Sequence, residues 1–143
     1  MHITRPVICK LLVDGKDFEN LKRTIDTFQS ACNYISKVAF KKCCFDPLSL
    51  HALVYKKVRA IFKLPASLAI QARNRVAESY HLNRDHLHTF RRNSMALDNR
   101  IFSLLRSRDF AVSISTIQGR LKSRLVLGGY QRSILEKPVN LPA

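Results

Sequence analysis

The groups that could do chemistry in this 143-residue chain are few and poorly arranged for it. Cys9, Cys32, Cys43 and Cys44 supply thiols, His81, His86 and His88 a loose cluster of imidazoles, and ten Asp and Glu the carboxylates. A metal site wants paired donors at short fixed spacing, and no C-x-x-C occurs; the neighbours Cys43 and Cys44 suit neither chelation nor a mutual disulfide. The cysteines therefore read as small apolar or incidental residues and the histidines as surface residues. The carboxylates are scattered. Asp17 and Asp46 read as helix caps, Asp98 and Asp109 as turn residues. These groups lead us to expect no catalytic residue, no metal and no cofactor.

The cations point somewhere else. Twenty-five Lys and Arg against ten acids give a net charge of +15, spread along the chain rather than held in a tail. Such a surface repels itself until a polyanion neutralises it, which makes nucleic acid the expected partner. The competing reading is a solvated surface that only keeps the protein soluble. No apolar run is long enough to span a bilayer, so no membrane partner is expected. With no secretory leader and no paired cysteines, a reducing, cytoplasmic setting fits best.

Periodicity gives the elements that would position these cations. Val7, Cys9, Leu11 and Val13 alternate with Ile8, Lys10 and Leu12 in a strand apolar on both faces, which predicts a central position. After Asp14-Gly15, Leu21, Ile25, Phe28, Cys32, Ile35 and Ala39 form the stripe of a long helix beginning at Asp17. Asp46-Pro47 opens a second helix, with Leu50, Leu53, Val54, Val58, Ile61 and Phe62 inward and Lys56, Lys57, Arg59 and Lys63 outward. A third starts at Pro65, with Leu68, Ala72, Val76 and Tyr80 inward and Gln71, Arg73, Asn74 and Arg75 on or beside its outer face. From Asn83 onward the period shortens. Strands are predicted over 88–90, 93–97, 101–104, 110–117 and 120–127, with turns at Asp98-Asn99 and Gln118-Gly119 and a close at Gly128-Gly129.

The order strand, three helices, strands predicts an α+β fold in which the first strand joins the late ones in a small β-barrel or sheet, interrupted by a three-helix insertion. The expected domains are 1–14 with 83–137 for the β part, 15–82 for the helices and 138–143 as a tail.

Three stretches carry a family resemblance. "TFQSACNYISKVAF" has an aromatic followed by A-x-N-Y-I-x-x-x-A, and "LHALVYKKVRAIFKLPASLAIQARNRVAESY" has L-H-x-x-x-Y, a Leu-Pro junction and R-V-A-x-S-Y. "VSISTIQGRLKSRLVLGGYQRSIL" has S-I-S-T-x-x-G-R-x-K and then G-x-Y-Q-R. In this order, across about residues 5–136, they resemble TnpB, the OrfB-type transposon-encoded RNA-guided nuclease related to miniature type V CRISPR effectors. The resemblance implies a wedge domain built from the first and late strands and a recognition domain built from the inserted helices. It covers none of the RuvC-like nuclease, whose metal-bound carboxylates would be needed for cleavage. No D-x-G strand is present. The expectation is a truncated or split member of this family that binds guide RNA and target DNA, does not cut by itself, and has a separately encoded nuclease half as a possible partner.

On this reading the phosphate-contact candidates are Lys56, Lys57, Arg59, Arg73 and Arg75 on helices, with Arg91, Arg92, Arg120, Lys122 and Arg124 on the β part. The resemblance places readers of a short motif beside the target at Ser67, Gln71 and Asn74 and at Arg91, Arg92 and Asn93, where amide and guanidinium groups suit base edges. The alternatives are a free-standing RNA- or DNA-binding regulator derived from such a nuclease, and a basic helical scaffold for an acidic protein. The plain reading of Gln71 and Asn74 is a solvated helix face. That of Tyr34, Tyr55 and Tyr80 is the edge of the core rather than a stacking surface.

Overall fold

The computed structural model describes residues 4–91, 94–106 and 110–136. Its elements are β1 (Lys10–Leu12), α1 (Gly15–Lys42), α2 (Pro47–Phe62), α3 (Ala66–Leu82), β2 (Phe102–Leu105), β3 (Ala111–Thr116), β4 (Gly119–Val126) and α4 (Gly129–Leu135). The fold is α+β. The four strands form one antiparallel sheet in the order β1-β4-β3-β2, so the first strand does join the late ones, with three helices spliced between. Lys10 lies opposite Val126, Leu11 opposite Leu125 and Leu12 opposite Arg124.

Of the two expected forms, barrel or sheet, the described strands make the open sheet, since β1 and β2 stand at its two edges. One expectation about it needs correction. β1 is therefore an edge strand and not a central one. Its apolar residues on both faces misled the reading, because Ile8 and Leu12 are 85 % and 63 % exposed.

The long helix α1 organises everything else. At about 1.5 Å per residue its 28 residues span roughly 42 Å. That length lets it pack on α2, α3 and β3 together. Phe28, Cys32, Ile35 and Ala39 are fully buried, as the stripe predicts. They belong to one core with Leu50, Val54, Val58, Leu68, Val76 and Tyr80 from the helices and Ile101, Val112 and Ile114 from the sheet. The inner line of α2 is narrower than expected. Leu50, Val54 and Val58 fill it at four-residue spacing, whereas Leu53 and Ile61 sit on its shoulders at 40 % and 56 % exposure.

The caps differ in one place. Asp14, not Asp17, caps α1: its Oδ1 accepts the Asp17 N–H at 2.7 Å from an extended backbone position. Asp17 lies in the first turn, where its charge still favours the positive helix end. Asp46 caps α2 as predicted, accepting from the Ser49 N–H and hydroxyl, and these bonds hold its carboxyl below the usual range. Pro65 is the residue before α3 rather than its first.

The hairpin turn is shifted by one residue. Thr116 pairs with Gly119, so the loop is Ile117-Gln118, and Gly119 adopts φ +101°, which disfavours any side chain. Asp98 makes the predicted turn by accepting the Arg100 and Ile101 N–H groups.

No strand forms over 88–90 or 94–97; residue 93 and Asp109 lie outside the described residues. The segment 88–90 spends its backbone bonds on side chains of α1 and α3 instead. Phe90 N–H donates to Asn33 Oδ1 at 2.7 Å, and the Phe90 carbonyl accepts from Asn33 Nδ2 and Gln29 Nε2. Asn33 thus acts as a short strand partner. The short helix α4 was unforeseen: Gly128-Gly129 opens it rather than closing the chain's last strand, with Gln131 Oε1 accepting the Gly128 N–H at 3.0 Å.

Candidate nucleic-acid interface

The predicted cations fall into three groups. Strand alternation and register create the first. Along β4, Leu121 and Ser123 turn inward while Arg120, Lys122 and Arg124 are exposed. Across the ladder Ser115 faces Arg120, Ser113 faces Lys122 and Ala111 faces Arg124, and Ser103 on β2 faces Ser113. Because paired residues share a sheet face, one face carries three exposed cations beside the partly exposed Ser103 and Ser115, with Ser113 buried between them.

These cations are not equivalent. The Arg120 guanidinium donates to the Ile101 carbonyl at 2.7 Å and to Ser115 Oγ at 3.1 Å, lying flat across the sheet. It ties β4 to the residue before β2 as well as offering charge. The Lys122 ammonium makes no hydrogen bond or ion pair among the described residues, so its charge is available outright.

The second group lies on α2 and α3. Lys56 and Lys57 are exposed on α2. His51 stacks on Tyr55 with centroids 4.4 Å apart, and Arg59 sits 5.9 Å from the Tyr55 ring centre while its Nε donates weakly to the Leu64 carbonyl. Arg73 reaches across from α3. It donates through Nε and Nη2 to Asn74 Oδ1, the shorter bond being 2.7 Å, and through Nη1 to His51 Nδ1 at 2.8 Å. A guanidinium cannot accept, so His51 Nδ1 must be the unprotonated nitrogen. Partial burial draws the Arg73 pKa down from its ordinary value. Ser67, Gln71 and Asn74 follow one line of α3 at spacings of four and three. Their side chains are half-buried, and with Asn74 Oδ1 occupied its amide N–H groups are the donors left to a ligand.

The third group is separate. Arg75 turns away from Arg73: its Nη1 donates to the Ser94 carbonyl at 2.9 Å and its guanidinium stacks 5.4 Å from the Phe90 ring centre. Its work is to hold the segment after α3. Arg91 is exposed next to that segment; Arg92 and Asn93 lie outside the described residues.

The sequence reading missed His51, the hub of the α2–α3 group, although the spacing His51, Tyr55, Arg59 is a helical line. It also missed two buried polar clusters. Ser36 Oγ and Tyr80 Oη share a 2.8 Å bond, and Tyr80 Oη in turn accepts the His88 N–H at 3.2 Å. Tyr80 is fully buried, not a core edge. Near the hairpin, Asn20 Nδ2 donates to Thr116 Oγ1 at 2.9 Å and Thr24 Oγ1 accepts the Ile117 N–H at 3.2 Å. Asn20 Oδ1 has no hydrogen-bond partner among the described residues.

A cleft of about 900 Å³ between the α1–α2 turn and the end of α3 contains only Asn74 of the predicted residues. Among the described residues no three His, Cys, Asp or Glu side chains gather as metal ligands would. All four cysteines are free, and burial pushes the Cys32 thiol up to about 12. No described helix is long and apolar enough to cross a membrane. Compared with known proteins, the chain matches no family model and no curated sequence.

Proposed function

We propose that this chain binds nucleic acid along its phosphate backbone and does so without cutting it. The observation that carries the reading is the strand register that gathers the exposed Arg120, Lys122 and Arg124 on one sheet face beside the partly exposed Ser103 and Ser115. Cations neutralise phosphates and hydroxyls can bond phosphate or sugar oxygens, so the face suits a backbone rather than a base sequence. The α2–α3 group adds charge from Lys56, Lys57 and Arg59, with Ser67, Gln71 and Asn74 as the groups able to read base edges.

The motif resemblance gives this proposal its specific form: a wedge-and-recognition module of the TnpB type, holding a guide RNA and its heteroduplex with target DNA. The pairing of β1 with β4 around a helical insertion supports that form, because the same insertion order follows from the resemblance. In such complexes the protein senses backbone shape while base pairing reads sequence.

The test is binding of a labelled 20-nucleotide RNA and of the matching RNA–DNA duplex, followed by fluorescence anisotropy as salt rises. With six to ten phosphates contacted, affinity for the duplex should fall by a factor of about 10³–10⁵ between 50 and 200 mM salt, and less steeply for the single strand. Weak binding that ignores salt would refute the reading. Replacing Gln71 and Asn74 by Ala should alter preference among duplex sequences while leaving the salt slope unchanged.

A further inference from the structure

β1 stands at one edge of the sheet, and no other described strand lies on its outer side. The Leu125 N–H bonds the Phe110 carbonyl, on the β3 side of β4. Backbone groups alternate sides along a strand, so the neighbours Arg124 and Val126 point their N–H and C=O groups toward β1. Leu11 lies opposite Leu125, and its own N–H and C=O must therefore point away from the sheet. The Leu12 carbonyl faces the other way, accepting from Ser123 Oγ at 2.7 Å on β4. No described residue pairs with the outward groups of Leu11.

Beside that edge runs a groove of about 610 Å³ between β1 and the first half of α1, formed by Leu11, Val13, Phe18, Leu21 and Ile25. Phe18 is 55 % exposed and Leu12 63 %, so apolar surface borders the open edge on both sides. Lys10 and Lys22 stand at the groove with Asp26 as the one acid there. Unpaired backbone groups, an apolar trough and a positive rim together describe a site for strand addition.

We propose that this edge binds an extended segment of another polypeptide, one that alternates apolar with acidic residues. Its backbone would pair with Leu11, its apolar residues would lie on Phe18, Leu21 and Ile25, and its carboxylates, on the opposite face of the added strand, would meet Lys10. A second copy of this chain is the poorer occupant, because each molecule brings a net charge of +15.

The experiment uses the full chain and a fluorescein-labelled, end-blocked peptide of sequence EVEIEVE, with EEVVIEE as the control of equal composition. Anisotropy reports binding, and amide hydrogen exchange followed by NMR reports where. The expected result is tighter binding of the alternating peptide, with Leu11 exchange slowed about a hundredfold at a peptide concentration near one hundred times Kd. Lys10 and Leu12, already facing β4, should change little. Phe18→Glu and Leu12→Glu, both at half-exposed sites, should each weaken binding about tenfold without lowering the melting temperature much. Equal binding of the two peptides would mean ionic adsorption and overturn the proposal, as would no binding or unchanged Leu11 exchange. Concentration-dependent self-association that protects Leu11 without peptide would assign the edge to a second copy and overturn it too.

Discussion

The two faces of the sheet are made from the same strands and obey opposite rules. The inner face is set by packing: Val112 and Ile114 belong to the core shared with the helices, and Leu121 is buried beside Ile114. The outer face, with Arg120, Lys122 and Arg124, is set by register, with Arg120 held besides by the Ile101 carbonyl. A one-residue slip would exchange the two sets, so the core residues are what hold the cations in place. The lesson is that the surface chemistry of this molecule is positioned from within, and its sequence motifs are largely the positioning parts.

The largest expected effect strikes the inner side. Phe28→Ala removes a fully buried ring from the helix that touches both layers and should cost about 3–5 kcal/mol, read from urea unfolding. A normal midpoint would show that α1 does not organise the core. Tyr80→Phe comes next. It keeps the ring but strips the hydroxyl from Ser36 and from the His88 N–H, an expected loss of about 1–3 kcal/mol. An unchanged midpoint would show that this bond network stabilises nothing.

Smaller again is the cap. Asp14→Ala should cost about 1 kcal/mol, and Asp17→Ala, which removes only a first-turn charge, should cost about 0.3–1 kcal/mol. If Asp17→Ala were the costlier, the cap would be Asp17 after all. The smallest stability effect belongs to the outer face, where Lys122→Ala should stay within about 0.5 kcal/mol of the parent. Arg120→Ala should be worse than that, since Arg120 also bonds the Ile101 carbonyl. Equal effects of these two would erase the distinction between them.

Much of this fold was legible because its patterns are local. The α1 stripe, the Asp46-Pro47 start and the alternation of 110–117 each declare themselves within a dozen residues, and the lone first strand then had only the late strands to join. What stayed hidden depends on partners far along the chain. Asn33 bonds the backbone of Phe90, fifty-seven positions away, and so replaces a predicted strand with a side-chain clamp. Asn20 and Thr24 meet Thr116 and Ile117 across more than ninety. Whether β1 is central or peripheral cannot be read from residues apolar on both faces, and α4 hid behind a glycine pair that usually ends an element.

The candidate site divides the same way. Arg120, Lys122 and Arg124 were legible as a face because strand alternation is a rule of two. Arg75 was not separable from Arg73 by sequence, yet one turns to Phe90 and Ser94 and the other to His51 and Asn74. The quoted motif residues Asn33, Tyr80 and Thr116 all turned out to fasten segments together. They explain the architecture, and the cations beside them supply the proposed binding.

The most direct test of that binding compares the salt dependence of RNA affinity for the parent chain and for the Lys122→Ala, Arg124→Ala double variant. If both side chains meet phosphates, the slope of log affinity against log salt should become shallower by about 1.4 for single-stranded RNA. An identical slope in a normally folded variant would contradict the account and take the outer sheet face out of the interface.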